Sequence, residues 1–162
     1  METQFLTYYK SPVGWLKITS NDKAIKSINF VEQAHETSSQ MSDILIESMK
    51  QLDEYFEGKR LEFNLELAPT GSEFQHSVWK LVSQIRYGET ASYLEIAIRS
   101  GSAKNTRAVG LANGKNPIPI IIPCHRVIGN KGKLTGYAGG LERKRWLLLH
   151  EQKYSITPDR LF

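Results

Sequence analysis

An α+β chain in two parts is what this sequence predicts, and three observations predict it. Short strand-like runs separated by polar turns fill the first thirty residues. Two capping boxes, Ser72 with Gln75 and Ser92 with Glu95, open short apolar stripes further on. Between them, Ala68-Pro69-Thr70-Gly71 breaks both patterns, so the boundary is placed between a domain over 1–69 and one over 70–162.

Each element has its own signal. Phe5–Tyr9, Val13–Thr19 and Ala24–Phe30 are strand candidates, with turns at Lys10–Pro12 and Ser20–Lys23. Residues 31–43 are polar and read as a solvated connection. Leu45, Met49, Leu52 and Phe56 fall on one helical stripe between Ser42 and Gly58, a glycine suited to a helix stop. Leu61, Phe63, Leu65 and Leu67 alternate at period two, which predicts a half-buried strand. In the rear domain, Phe74, Val78, Leu81, Val82 and Ile85 share a helix face, and Tyr87–Thr90 turns the chain. Leu94, Ile96, Ala97 and Ile98 make a short second helix that Gly101 ends, and a third runs from Asn105 to Asn113. Two short helices joined by a Gly-containing turn outline a helix-turn-helix. Leu141–His150 is a last helix, with Trp146, Leu147 and Leu148 directed inward.

Composition sets limits on function. Hydrophobic residues at 40% and charged residues at 23% are ordinary for a globular chain, which needs no staples at 162 residues. The start METQFLTYYK has no signal-peptide pattern, and no apolar run reaches the roughly 20 residues a membrane span needs. The expectation is a cytoplasmic protein with no membrane partner. A single cysteine, Cys124, excludes an internal disulfide and a multi-thiolate zinc site. Residues 1–69 hold 7 Lys+Arg against 11 Asp+Glu, whereas 70–162 hold 14 against 6. A basic rear half fits a polyanionic partner.

Chemistry concentrates in Asn116–Val127. Three prolines, Pro117, Pro119 and Pro123, forbid helix there and predict an extended, buried approach to Cys124. His125 and Arg126 follow, and either can stabilise a thiolate. In an extended chain His125 points away from Cys124, so a bridging water is needed for it to act as base, with a carboxylate fixing its tautomer. Glu73, Glu89, Glu95, Glu142, Glu151 and Asp159 are the rear-half candidates, and spacing does not choose among them. Gly110 lies inside the third helix at a cost of about 0.5–1 kcal/mol relative to Ala. Either close helix packing or a small-residue face for a nucleic-acid groove explains it.

The run Pro123-Cys124-His125-Arg126-Val127 resembles the active-site signature of the O6-alkylguanine-DNA alkyltransferases. Phe74-Gln75, Val78-Trp79, Ser92-Tyr93, Ile96-Ala97, Arg107–Gly110 and Asn116-Pro117 match the family's pattern upstream. Gly136-Tyr137, Gly139-Gly140, Arg143-Lys144 and Leu147-Leu148 with Glu151 match it downstream. The resemblance implies a ribonuclease H-like front domain and a winged-helix-like rear domain. It also implies a suicide reaction in which an O6-alkyl group passes from a flipped guanine to a cysteine, with O4-alkylthymine an open second substrate.

Carried over residue by residue, the resemblance makes Cys124 the nucleophile, His125 the water-mediated base and Glu151 the group that orients it. Asn116 supports the thiolate, and Tyr93 donates to guanine N3. Arg107, with Thr106, Ala108 and Gly110 on the same helix, enters the minor groove of double-stranded DNA. Lys104, Lys115, Lys131 and Lys133 are phosphate candidates. Tyr137, Ala138 and Gly139 close the pocket, and the carbonyls of Cys124 and Val127 read the guanine amino group. No cofactor is implied, and the front half's lone His35 with no cysteine predicts no zinc. A monomer is expected, with cooperativity on DNA left open. A non-catalytic relative would lack Cys124; a cysteine hydrolase would turn over.

Overall fold

The computed structural model describes residues 2–155, and the chain divides between Thr70 and Gly71 into two compact units. In the first, β1 (Phe5–Ser11), β2 (Gly14–Ser20) and β3 (Ile25–Val31) form an antiparallel meander in that order. The β1–β2 turn is tighter than Lys10–Pro12: Ser11 pairs with Gly14 across Pro12-Val13. Gly14 takes φ 106°, which a side chain would resist. Leu16, Ile18, Ile25 and Ile28 are buried with Leu45, Leu52 and Tyr55 of α1 (Asp43–Phe56). Ser42 caps α1 by accepting from Leu45 N–H at 3.2 Å. The buried stripe runs Leu45, Ser48, Leu52, Tyr55, so the expected Met49 and Phe56 lie only half-buried beside it. Phe56 instead stacks on Tyr9 at 6.3 Å.

The strand expected over Leu61–Leu67 is not formed. One parallel bridge joins Leu67 to Ile25, and the rest is irregular. Alternation does bury one face, but a strand also needs a partner's ladder. Gln51 supplies the pairing instead, with its Oε1 accepting from Asn64 N–H at 2.8 Å and its Nε2 donating to Asn64 O at 3.0 Å. The 31–43 connection is largely exposed and pinned once. Leu6 N–H donates to Ser38 Oγ at 2.8 Å, and Ser38 N–H to Leu6 O at 3.1 Å.

In the second unit, α2 (Glu73–Val82) and α3 (Tyr93–Arg99) begin at the two capping boxes, each with both reciprocal hydrogen bonds made. Val78, Trp79 and Val82 face inward, but Phe74, placed on that face by its spacing, is 36% exposed in the first turn. A 3-10 turn at Ala103–Asn105 leads into α4 (Thr106–Gly114), completing the helix-turn-helix with α3. Trp79 Nε1–H donates to Ala112 O at 2.8 Å and so ties α2 to the last turn of α4. Two short strands without a strong sequence signal, β4 (Ala91–Ser92) and β5 (Val127–Ile128), pair in parallel. They bring the start of α3 beside the residues that follow Cys124. The last helix, α5, runs Leu141–Tyr154, past the His150 end that its stripe predicts. Among the described residues, no helix is long and apolar enough to cross a membrane.

Candidate active site

The approach to Cys124 is not extended, contrary to its proline content. Ile122 N–H bonds Ile118 O at 2.9 Å, and Ile120 between them takes φ 73°. A β-branched residue rarely adopts that left-handed conformation, so the turn is held under strain. Prolines cannot donate, and Asn116 supplies the missing pairings: its Oδ1 accepts from Ile118 N–H at 2.9 Å and its Nδ2 donates to Ile122 O at 2.8 Å. Cys124–Arg126 then form a single 3-10 turn. His125 therefore does not take the opposite face that an extended chain would give it.

That turn sends His125 into the core, where α5 meets it. His125 Nε2–H donates to Glu151 Oε2 at 2.7 Å, both side chains being buried. Arg126 reaches the same carboxylate from Nε at 2.7 Å and Nη2 at 3.0 Å, and its Nη1 donates to Ile85 O. Of the rear-half acids, then, Glu151 is the partner of His125. Asp159 lies outside the described residues. Burial alone would raise the Glu151 carboxyl, but His125 and Arg126 outweigh it and hold the group well below the usual carboxylate range. Burial lowers His125, partly offset by Glu151, so the ring is neutral near pH 7. With Nε2–H on the carboxylate, Nδ1 carries the lone pair, and it has no partner among the described residues. Arg126 serves Glu151 rather than the thiol.

Cys124 is 4% exposed, and burial pushes its thiol up to about 11, against the lowering effect of Asn116 and of Lys144. Lys144 was absent from the expected site. It is fully buried on α5, with Nζ donating to Val127 O at 2.6 Å, Thr135 O at 2.7 Å and Gly136 O at 3.4 Å. Burial lowers it to about 8. The signal was in the helix period: Lys144, Leu147, Leu148 and Glu151 are steps of three, one and three along one face. A lysine on an inward stripe needs partners, and the carbonyls of the 127–136 loop supply them.

The remaining expected residues divide by exposure. Arg107, Ala108, Lys104 and Lys115 lie exposed on or beside α4, as do Lys131 and Lys133 on their loop. Thr106 spends its hydroxyl on Ala103 O at 2.6 Å. Tyr93 is half-buried, with Oη donating to Thr135 O at 3.1 Å. Val127 is buried, Tyr137 half-buried, Ala138 exposed and Gly139 buried, with Gly139 O accepting from Arg143 at 2.9 Å. At Gly110 an added Cβ would meet the Tyr93 ring at 3.8 Å, an ordinary contact. Packing inside the protein thus does not demand glycine there.

Fold and site together define a class: an α+β protein whose helix-turn-helix unit holds one buried cysteine against a His–Glu pair. The ribonuclease-like domain of 6-O-methylguanine DNA methyltransferase matches residues 5–69, and that family's DNA-binding domain matches residues 73–153. The methylated-DNA–protein-cysteine methyltransferase of Mycolicibacterium paratuberculosis is 46% identical over 156 residues, 94% of each chain. The crystal structure of the Mycobacterium tuberculosis O6-methylguanine methyltransferase superposes with TM-score 0.86 at 42% identity, covering 96% of each chain. The same bacterium's OGT in complex with DNA gives 0.82 at 44% identity, covering 93% of this chain and 94% of that one. This chain belongs to the 6-O-methylguanine DNA methyltransferase family.

Proposed function

We propose that this protein repairs DNA by moving the alkyl group of O6-alkylguanine to Cys124, once per molecule, acting as a monomer in the cytoplasm. The observation that carries the reading is the placement of Cys124. It is the only thiol of the chain, and it is held by Asn116 at the foot of a helix-turn-helix, next to the buried His125–Glu151 pair.

Arg107 on α4 enters the duplex from the minor groove and takes the place of the flipped nucleotide, offsetting a few kcal/mol of lost stacking. Thr106, Ala108 and Gly110 keep that helix face slim. Lys104 and Lys115 meet phosphates, which makes binding strongly salt-dependent. Tyr137, Ala138 and Gly139 close over the base. Cys124 loses its proton through a water to His125 Nδ1, whose tautomer Glu151 fixes. The thiolate attacks the alkyl carbon; a C–S bond forms and the C–O6 bond breaks, its electron pair passing to the guanine. Tyr93, turned from Thr135 O, donates to N3 as that charge develops, and the proton removed from the thiol ends on the base. A thioether is a poor leaving group, so the protein is not regenerated.

Intact mass after mixing with excess O6-methylguanine oligonucleotide tests this. One methylene mass is expected on the peptide that carries Cys124, and none in Cys124→Ala. A protein that releases product and reacts again would be a hydrolase. A second variant separates the DNA role from packing. Gly110→Ala is expected to stabilise the protein by about 0.5–1 kcal/mol, because the added methyl makes an ordinary contact with the Tyr93 ring, while thickening the helix face that meets the duplex and so weakening binding. Melting curves and a titration at fixed salt read the two effects, and unchanged affinity would remove Gly110 from the interface.

A further inference from the structure

Asn113 is a buried polar residue of this site that the mechanism leaves without work. It lies on α4, 3% exposed, on the side opposite Arg107 and Leu111. Its Nδ2 donates to Cys124 O at 3.3 Å, and its Oδ1 is buried with no hydrogen-bond partner among the described residues. A buried amide oxygen without a donor is costly, so an apolar residue would be the better choice if packing were the only requirement. The amide cannot be turned over to relieve this, because its oxygen would then face the carbonyl of Cys124.

Acceptor capacity around the nucleophile points to the missing donor. A carbonyl oxygen has two lone pairs. Those of Cys124 already take Val127 N–H and Asn113 Nδ2, and Val127 O already takes the Lys144 ammonium. Asn113 Oδ1 takes nothing. Guanine carries its 2-amino group on the same Watson–Crick edge as O6, so a base seated with its O6-alkyl carbon on Cys124 Sγ presents that amine to the surroundings of the Cys124 backbone. We propose that Asn113 Oδ1 accepts a hydrogen bond from the 2-amino group of the flipped guanine, making Asn113 a specificity-determining residue on the recognition helix. This rests on the alkyl-transfer reading above. It assigns part of the amine recognition, expected of the Cys124 and Val127 carbonyls alone, to a side chain.

The test compares single-turnover transfer from duplexes that differ only in O6-methylguanine or O6-methylhypoxanthine, the latter lacking the amine. The wild-type protein is expected to favour guanine by about tenfold or more, as sites built to bind a polar group do. Asn113→Leu should lose that preference through the guanine rate alone, leaving the hypoxanthine rate within about threefold. Thermal unfolding checks that each variant folds, and Asn113→Ala replaces the leucine variant if that one does not. Equal losses on both substrates would make Asn113 a packing residue and overturn the proposal, as would a leucine variant that still prefers guanine. No transfer by wild-type protein from either duplex would instead remove the alkyl-transfer reading, and this inference with it.

Discussion

Glu151→Ala is expected to lower the melting temperature by more than about 10 °C. The carboxylate is 1% exposed and accepts three hydrogen bonds, one from His125 and two from Arg126. Removing one partner from a buried charged cluster costs about 3–5 kcal/mol, because the remaining charge is left uncompensated. For a domain of this size, each kcal/mol is worth about 4–8 °C. The pH dependence of wild-type stability has the same origin. The native His125 binds its proton less readily than the unfolded chain does, so its contribution is complete above about pH 6.5 and is lost as pH falls below that. The native Glu151 carboxyl is depressed as well, and its contribution is complete above the unfolded value of 4.5 and lost as pH falls further. Wild-type melts between pH 2 and 8 should therefore fall in two stages, the lower of which, below pH 4.5, disappears in Glu151→Gln. A flat acid limb in the wild type would show that the cluster does not carry the stability assigned to it.

Lys144→Met should slow transfer from an O6-methylguanine duplex by about a hundredfold or more, the loss of roughly 3 kcal/mol of transition-state stabilisation. Two effects add. The carbonyls of Val127, Thr135 and Gly136 lose the ammonium that gathers them, which loosens the 127–136 loop. Cys124 loses a nearby cation, so its thiol, already near 11, rises further. A small reagent isolates the second effect. The rate of Cys124 with iodoacetamide should climb with pH in Lys144→Met. In the wild type the climb should be less steep near pH 8, where Lys144 gives up the charge that favours the thiolate, and resume its slope above that. Identical pH profiles would separate Lys144 from the thiol and leave it a role in the loop alone.

Much of the site was legible because its residues are close in sequence or carry a local signature. Both capping boxes form as written, since each needs only four consecutive residues. The helix-turn-helix follows from them, and Cys124 is the only thiol available. Reading failed where the partner is distant. Leu61–Leu67 has a strand's alternation, but Gln51 of α1 occupies the backbone that a neighbouring strand would have paired. Prolines before Cys124 forbid helix without specifying what replaces it, and the strained turn at Ile120 exists because Asn116 binds both of its ends.

By itself, then, the sequence determined which segments become helices, where the two parts divide, which residue is the single thiol and which family pattern surrounds it. These are local properties of period, capping and composition, set by interactions within a few residues of each other. Only the tertiary structure decided that, among the described acids, Glu151, which spacing alone could not choose, pairs with His125, that Arg126 serves Glu151, and that Lys144 gathers the carbonyls of the 127–136 loop. Those pairings join α5 to a turn some twenty residues earlier. A charged side chain finds its partner through burial, which excludes water and leaves it one set of acceptors, and burial is a property of the packed fold.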